Sequence, residues 1–284
     1  MRAPSTWISG GADSRNTELA FKNAGFAVFS NAKNYRRAPK VPLVVPLVNA
    51  NHLAIVRQQQ SAQNSGYIIT NANCSTTGLV VPLAALERAF GPIDTVLVTT
   101  LQAASGAGYP GVPSLDILDN VVPFIGGEEE KMEWETKKIL GSLIADTEHE
   151  TGFALRDEMN VSATCTRVPV IDGHTESVSV RFARRPPPSI EAVRAALVDF
   201  SCEAQKLECP SAPQVAIEVH DADDRPQPRL DRDSQRGAGV SVGRLRQCPV
   251  LDLKFVVLVN NVCLGAATSS IINAEFACAT GLVQ

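Results

Sequence analysis

Short apolar runs alternate with helical patterns along the first hundred residues, as expected for a parallel α/β sheet. The apolar segments are residues 26–30, 41–48, 67–70 and 95–101. Residues 18–24 have the pattern of the last turns of a helix that ends at Gly25, and residues 74–90 predict a second helix that ends before Gly91. A helix followed by a short buried strand is the end of a βαβ unit, whereas residues 1 to about 17 are weakly patterned and predict a loop.

The second half of the chain contains longer elements. The predicted helices are residues 126–141, 189–206 and 265–279, and the predicted strands are residues 161–170, 177–182, 240–245 and 250–259. Residues 221–239 form a polar stretch rich in Pro, Asp and Arg, which predicts a long loop. The helix at 126–141 has acids in its first turn and lysines in its last turn, the arrangement that the helix dipole favours.

Composition excludes several classes of protein. Of 284 residues, 44% are hydrophobic and 20% are charged, an ordinary balance for a soluble globular protein. A net charge of −4 argues against a nucleic-acid partner, and no apolar run is long enough to cross a bilayer, so we expect no membrane partner. The first residues have no apolar secretory core. The seven cysteines show no CxxC pair, which predicts a reduced cytoplasmic protein with neither a disulfide framework nor a metal site.

One cysteine lies where a reactive thiol is expected. Cys74 stands between the apolar segment at 67–70 and the helix that follows, and Asn73 or Ser75 can cap that helix. Free N–H groups and the positive end of the helix dipole stabilise an anion there, so we expect a lowered pKa and a thiolate nucleophile. The alternative is that Cys74 is a small buried hydrophobic residue, the commoner role of a lone cysteine.

Two charged pairs are candidates for ligand binding. Arg36 and Arg37 follow the strand at 26–30, at the end where open α/β sheets bind ligands, although two adjacent arginines are more often a solvated surface pair. Glu128 and Lys131 are three residues apart and share a helix face. Without further information, a solvated charged face is the simpler interpretation of that helix.

A loop and a histidine complete the candidates. Residues 102–111 are mostly small, so their backbone can approach a ligand closely, or they form a plain turn. His174 follows the turn signal Asp172-Gly173 and lies near a strand-borne arginine in the pattern. A histidine beside a turn is usually a surface or capping residue, and the alternative here is a general base beside an anion site.

Several separated motifs, in this order, resemble the aspartate-semialdehyde dehydrogenases of the fungal and archaeal type over about residues 18–279. These motifs are residues 30–36 (Ser-Asn-Ala-Lys-Asn-Tyr-Arg), 73–77 (Asn-Cys-Ser-Thr-Thr), Gln102 with 105–111, 128–131 (Glu-Glu-Glu-Lys), 167–170 with 172–175, and 265–267 (Gly-Ala-Ala). The resemblance implies NADP as cofactor. It also implies oxidation of aspartate 4-semialdehyde through a cysteine thioester that phosphate cleaves to aspartyl 4-phosphate, in the biosynthesis of threonine, methionine and isoleucine.

The resemblance also implies a role for each matching residue. The implied catalytic residues are Cys74 as nucleophile, His174 as acid/base and Gln102 as the group that orients the acyl intermediate. The implied substrate ligands are Arg167 for the carboxylate, Glu128 for the amino group, and Arg36, Lys131 and Asn73 for phosphate. Ser105, Gly106 and Asn261 match positions that border the nicotinamide side of the cofactor.

The implied fold class combines α/β and α+β. Residues 1–73 are expected to be the remnant of a Rossmann-type NADP-binding domain, residues 74–258 a mixed-sheet catalytic and dimerisation domain, and residues 259–284 a helical segment that packs back on the cofactor domain. A homodimer or homotetramer is expected.

The start of the chain departs from the family pattern. Gly10 and Gly11 do not follow a strand, and too few residues precede Phe26 for a whole βαβ unit. The expectation is therefore an amino-terminally truncated dehydrogenase whose Gly-rich cofactor loop is missing, with a non-enzymatic relic that dimerises without binding NADP as the alternative. An acyl-phosphate reductase for a longer substrate fits less well, because Glu128 and Arg167 together suit an amino acid. An unrelated cysteine hydrolase would need neither Arg36 nor Lys131.

Overall fold

The computed structural model describes residues 14–144 and 152–283, and these form two main sheets with helices packed against them. Residues 1–13, with Gly10, Gly11 and most of the predicted amino-terminal loop, lie outside the described residues. The loop prediction is wrong for residues 14–17, because the first helix already begins at Ser14.

The first sheet is parallel, as the sequence pattern predicts. Its strand order is β1-β3-β2, and α1 leads into β1. The elements are α1 (Ser14–Asn23), β1 (Ala27–Ser30), β2 (Leu43–Val44) and β3 (Tyr67–Asn71), with a 3₁₀ helix at Ala50–Gln59 between β2 and β3. Every residue of β3 is buried, because a central parallel strand is covered on both faces.

The second sheet is mixed and has six strands in the order β7-β4-β8-β11-β10-β9. The strands are β4 (Ile93–Gln102), β7 (Asn160–Arg167), β8 (His174–Phe182), β9 (Ile217–Val219), β10 (Val240–Gln247) and β11 (Leu253–Val259). A small hairpin of β5 (Ser142–Leu143) and β6 (Phe153–Ala154) lies apart from it. Strand β4 pairs in parallel with β7 and antiparallel with β8, so parallel and antiparallel ladders share one sheet.

The helices cover one face of this sheet and link it to the first sheet. They are α2 (Cys74–Phe90), α3 (Ser114–Ile117), α4 (Glu128–Ile139), α5 (Ile190–Val198), α6 (Glu203–Lys206), α7 (Pro228–Asp231) and α8 (Thr268–Ala279). The single helix predicted at 189–206 is in fact α5 and α6, separated at residues 199–202, and the predicted loop at 221–239 contains α7. The predicted helix at 265–279 begins as a π-helical turn, Cys263–Ala267, before α8.

Helix α2 lies at the centre of the core. Every residue from Ser75 to Leu86 is buried, since the helix contacts β8 and β11 on one side and α4 and α5 on others. A helix that is apolar on all sides is stable only in such a position. Helix α8 contacts β1 and β3, which places the carboxyl-terminal segment against the first sheet. Among the described residues, no helix is long and apolar enough to span a membrane.

The outer face of the six-stranded sheet is exposed and carries mainly Ser and Thr side chains together with two leucines. Leu97 and Leu101 of β4 are 44% and 39% exposed, and the neighbouring segments add the exposed Phe124 and Ile171. Side chains alternate between the two faces of a strand, so the helix-covered face is core and this second face is exposed to solvent.

Candidate active site

The order and direction of the strands bring four chain segments together at one end of the strands of the six-stranded sheet. Strands β4 and β7 are parallel, so their last residues, Gln102 and Arg167, are paired neighbours. Strand β8 runs the other way and begins at this end with His174, which is paired with Val259 at the end of β11. Residues that lie far apart in the sequence therefore meet beside the first turn of α2.

Asn73 fixes the start of α2. Its Oδ1 accepts hydrogen bonds from the backbone N–H groups of Ser75 at 3.0 Å and Thr76 at 3.2 Å. Of the two predicted caps, Asn73 is thus the one in place. Because the cap satisfies the first free N–H groups, Cys74 is held in the opening turn of the helix, at the junction that the sequence predicts.

Cys74 and His174 form a pair. The Cys74 Sγ lies 3.2 Å from His174 Nε2, and His174 Nδ1 accepts a hydrogen bond from the backbone N–H of Ala103 at 3.0 Å. A nitrogen that accepts a hydrogen bond carries no proton, so a neutral His174 carries its proton on Nε2, facing the sulfur. Burial, with a smaller contribution from the nearby Arg167 charge, lowers the pKa of His174 to about 3. His174 is fully buried, and its interpretation as a surface or capping residue is wrong.

The predicted lowering of the Cys74 pKa is wrong. Burial of the thiol, reinforced by the carboxylate of Glu128, raises the pKa of Cys74 to about 12. The Ser75 N–H, Arg36 and Arg167 act in the opposite direction but do not compensate. Burial destabilises the thiolate by more than the helix terminus and the two guanidinium groups stabilise it.

Glu128 is the centre of a hydrogen-bond cluster beside the cysteine. Its Oε2 accepts from Asn73 Nδ2 at 2.7 Å and from Gln102 Nε2 at 3.4 Å, and its Oε1 forms an ion pair with Lys131. Burial opposes its ionisation, but Lys131, Asn73 and Gln102 together hold the pKa of Glu128 below its ordinary value. The carboxylate is therefore charged at neutral pH.

The guanidinium of Arg167 lies close to both Cys74 and His174. Its Nη1 donates to the carbonyl oxygen of Ala103 at 2.8 Å. Gly106 packs against it so closely that a Cβ on Gly106 would lie 2.6 Å from Arg167 Nη1 and 3.0 Å from His174 Nε2. The small-residue loop predicted to approach a ligand thus also packs closely against the side chains of Arg167 and His174, which the sequence did not reveal.

Helix α4 presents buried charges, so its interpretation as a solvated charged face is wrong. Four residues at one-turn and two-turn spacing point inward: Glu128, Lys131, Glu135 and Lys138. Glu135 and Lys138, which sequence reasoning missed, tie α4 to the loop after β1. Lys138 Nζ donates to the carbonyl oxygens of Arg36 and Val41, and Glu135 binds the side chain of Arg36.

The two adjacent arginines differ in their surroundings. The Nη1 of Arg36 is 2.9 Å from Glu135 Oε1 in a buried ion pair, whereas Arg37 pairs with Glu130 in solvent. The solvated-pair interpretation therefore holds for Arg37 and fails for Arg36.

The remaining predicted residues line the cleft on the other side of Cys74. Asn261 Nδ2 donates to Ser105 Oγ at 2.9 Å, and Asn261 Oδ1 accepts from the backbone N–H of Gly173 at 2.8 Å. These bonds tie the loop after β4 to the turn before His174. A cleft of about 780 Å³ runs from Arg36 and Lys131, past Cys74, to Ser105, Gly106 and Asn261.

The cleft suits a flat ring beside the cysteine. Its wall next to the cysteine is built from small residues, among them Ala72, Gly265 and Ala266, and a Cβ on Gly265 would lie 2.7 Å from Cys74 Cβ. Larger side chains would close this space, so the residues present fit the nicotinamide end of a dinucleotide. All the predicted site residues therefore lie along one continuous cleft or next to it.

A cysteine–histidine pair at the strand ends of a mixed sheet, with a carboxylate and a guanidinium nearby, matches the site that the sequence resemblance implies for a semialdehyde dehydrogenase. A family model described as semialdehyde dehydrogenase, dimerisation domain, matches residues 83–264. In the search of curated proteins, aspartate-semialdehyde dehydrogenase of Cryptococcus neoformans is 65% identical over 269 residues, which cover 94% of this chain and 73% of that protein. The enzyme of Saccharomyces cerevisiae is 54% identical over 94% of this chain and 74% of its own length.

Solved structures agree. The crystal structure of the Candida albicans enzyme with NADP matches with a TM-score of 0.90 and 50% identity, over 98% of this chain and 78% of that chain. The Vibrio cholerae enzyme II, complexed with ASA, matches with a TM-score of 0.75 and 29% identity, over 96% of this chain and 79% of that chain. The chain belongs to the aspartate-semialdehyde dehydrogenase family, and the fold class and the family resemblance predicted from the sequence are confirmed.

Proposed function

We propose that the protein catalyses the reversible, NADP-dependent and phosphate-dependent oxidation of L-aspartate 4-semialdehyde to L-4-aspartyl phosphate. The observation that carries the proposal is the 3.2 Å contact between Cys74 Sγ and His174 Nε2, with the charges of Glu128 and Arg167 near the sulfur. The family membership supports the same reaction, and because the cysteine, histidine, carboxylate and guanidinium are all in position, a non-enzymatic relic is not favoured.

The two opposite charges near the cysteine suit an amino acid. Arg167 is proposed to bind the substrate carboxylate, since a guanidinium fork matches a carboxylate with two hydrogen bonds. Glu128 is proposed to bind the substrate ammonium. These two contacts place the aldehyde carbon near Cys74 and select against aldehydes that lack either group.

The first chemical step joins Cys74 to the aldehyde. The Sγ forms a bond to the carbonyl carbon, the π electrons move to the oxygen, and the thiol proton passes to water in the cleft. His174, the proposed acid/base group, donates a hydrogen bond from Nε2 to the oxygen that becomes negative, and the thioester forms when this oxygen restores the carbonyl bond as the hydride leaves. NADP, when bound beside Ser105, Gly106 and Asn261, supplies the acceptor for the hydride that leaves this carbon.

The second step removes the acyl group from the cysteine. Gln102 is proposed to orient the thioester, and Arg36, Lys131 and Asn73 to hold phosphate. A phosphate oxygen attacks the thioester carbon, the carbon–sulfur bond breaks, and the Cys74 thiolate leaves.

We also propose that two copies associate through the exposed outer face of the six-stranded sheet, around Leu97 and Leu101, as the matched dimerisation domain suggests. Association of two such dimers would give a tetramer. All seven cysteines lie in the described part of the chain and are free, which supports a location in the cytoplasm. The division into a cofactor part (1–73), a catalytic part (74–258) and a carboxyl-terminal segment (259–284) stays a proposal.

The test is reduction of NADP by the purified protein with aspartate semialdehyde, with and without phosphate. Activity that requires both substrates and disappears in Cys74→Ala supports the proposal. A folded wild-type protein that does not reduce NADP under these conditions would contradict it.

A further inference from the structure

Glu135 connects Arg36, at the end of the cleft where phosphate is proposed to bind, to the segment that carries Cys74. Its side chain is almost completely buried, and its two carboxylate oxygens bind different parts of the site. Oε1 is 2.9 Å from Arg36 Nη1, and Oε2 accepts from the backbone N–H of Asn73 at 2.6 Å. Asn73 caps α2 and directly precedes Cys74, so a single carboxylate fixes both a guanidinium of the cleft and the backbone beside the nucleophile.

Stability alone does not explain such a pair. A buried ion pair loses much of its hydration, and replacement of such pairs by apolar side chains of similar volume is often neutral or stabilising. The neighbouring pair of Arg37 and Glu130 shows that the same two residue types also pair in solvent, one helical turn and a half away. Burial of Arg36 and Glu135 therefore suggests a geometric role.

The guanidinium of Arg36 is held at defined points. Nη1 is bound by Glu135, Nη2 donates to the carbonyl oxygen of Asn31 at 3.0 Å, and Nε has no partner among the described residues although it is buried. Two of the three nitrogens are thus fixed by the protein at the wall of the cleft, which leaves Arg36 little rotational freedom.

We propose that Glu135 is a positioning residue for the phosphate-dependent step: its carboxylate holds Arg36 at the angle from which the guanidinium meets phosphate, and locks that angle to the backbone of Asn73 beside Cys74. The inference rests on the proposed function. In the step concerned, a phosphate oxygen forms a bond to the thioester carbon while the carbon–sulfur bond breaks and the thiolate leaves. Glu135 does not touch the reacting atoms and acts through Arg36.

The first variant is Glu135→Gln, which keeps the shape but not the charge. A glutamine oxygen can accept from only one of the two partners, and its NH₂ group faces the other donor, so Arg36 loses its fixed angle. We expect the KM for phosphate to rise about tenfold or more, because a charge-assisted hydrogen bond is lost. The burst of NADPH from the first turnover in the absence of phosphate should change less than about threefold, since acylation does not use Arg36.

The matched control is Glu130→Gln, which removes the exposed partner of Arg37. We expect it to leave the phosphate KM, the burst and the melting temperature unchanged, because exposed ion pairs contribute little. Should Glu135→Gln not fold, Glu135→Asp serves instead. It keeps the charge but is one methylene too short to reach both partners, and the same separation of phosphate KM from burst is expected.

A double-mutant cycle with Arg36→Met decides whether Glu135 acts through Arg36. If it does, the double variant has the same phosphate KM as Arg36→Met alone. Additive effects, or an unchanged phosphate KM in a folded Glu135→Gln variant, would overturn the proposal. A wild-type protein that gives no aldehyde-dependent burst would instead refute the proposed function, so the two failures are distinguishable.

Discussion

Gly106→Ala should inactivate the enzyme by displacing two side chains of the site. Gly106 does not adopt a left-handed backbone angle, so alanine is compatible with the backbone at this position. The added Cβ, however, would lie 2.6 Å from Arg167 Nη1, 2.9 Å from His174 Cε1 and 3.0 Å from His174 Nε2. Side chains rather than backbone must therefore yield.

The size of the effect follows from these distances. An ordinary contact is at least 3.4 Å, so Arg167 must move by about 0.8 Å and the His174 ring by about 0.5 Å. A shift of about 1 Å at catalytic groups costs about 10²-fold in rate, equivalent to about 2.7 kcal/mol in the activation barrier. The free energy of unfolding should change less, because a compatible Gly→Ala change lowers the conformational entropy of the unfolded chain and thereby stabilises the folded protein by about 0.4–1 kcal/mol.

The assay compares kcat, the rate of Cys74 alkylation by iodoacetamide, and the melting temperature. Gly126→Ala is the matched control, because a Cβ on Gly126 meets no atom within 4 Å and its backbone angle is likewise not left-handed. We expect Gly106→Ala to lose about 10²-fold in kcat with a small change in melting temperature, and Gly126→Ala to behave as wild type. A Gly106→Ala enzyme with full kcat would show that the loop has more room than the structure indicates.

Three further predictions concern pH and assembly. Burial lowers the pKa of His52 to about 4 in the folded protein, whereas its pKa in the unfolded chain is about 6.5, so the unfolded chain binds a proton that the folded protein does not. In urea unfolding, the stability should therefore fall as the pH drops from about 6.5 to about 4, with about 2 kcal/mol lost at pH 5 because of His52. In His52→Gln this part of the loss should disappear, and an unchanged pH profile would contradict the assignment. Leu101→Lys, on the exposed outer face of the six-stranded sheet, should shift the protein to monomers in light scattering, whereas an intact dimer would place the interface elsewhere. Because Glu128 raises the pKa of Cys74, Glu128→Gln should move alkylation of Cys74 to lower pH, and a shift to higher pH would reverse the assigned sign.

The position of the nucleophile could be predicted from local sequence. An apolar segment, a capping residue and the start of a helix with apolar residues at helical spacing are neighbours in the chain, so Asn73 and Cys74 could be placed without knowledge of the fold. The meeting of Gln102, Arg167 and His174 could not be derived from the pattern alone, because it depends on the strand order β7-β4-β8. Pairing between distant strands leaves no periodic signal in one sequence, and the family motifs alone indicated that these residues act together.

The charged face of α4 shows a second limit of prediction from the sequence. The spacing of Glu128, Lys131, Glu135 and Lys138 is visible in the sequence and places all four on one face. Whether that face meets water or protein is decided by the loop after β1 and the start of α2, which supply partners for these charges. A periodic pattern reports which residues share a face, but only tertiary contacts determine whether the face is buried.

The shifts of the pKa values of Cys74 and His174 imply that the resting pair is neutral. Burial raises the pKa of the thiol to about 12 and lowers that of the imidazole to about 3, so a thiolate–imidazolium pair is not the stable form at neutral pH. The N–H of Ala103 reinforces this state, since an imidazolium would place a second hydrogen against it at Nδ1. Glu128 makes the second-largest contribution that raises the thiol pKa. On the role proposed for Glu128, a substrate ammonium would offset this charge, so substrate binding would lower the thiol pKa when the aldehyde is present.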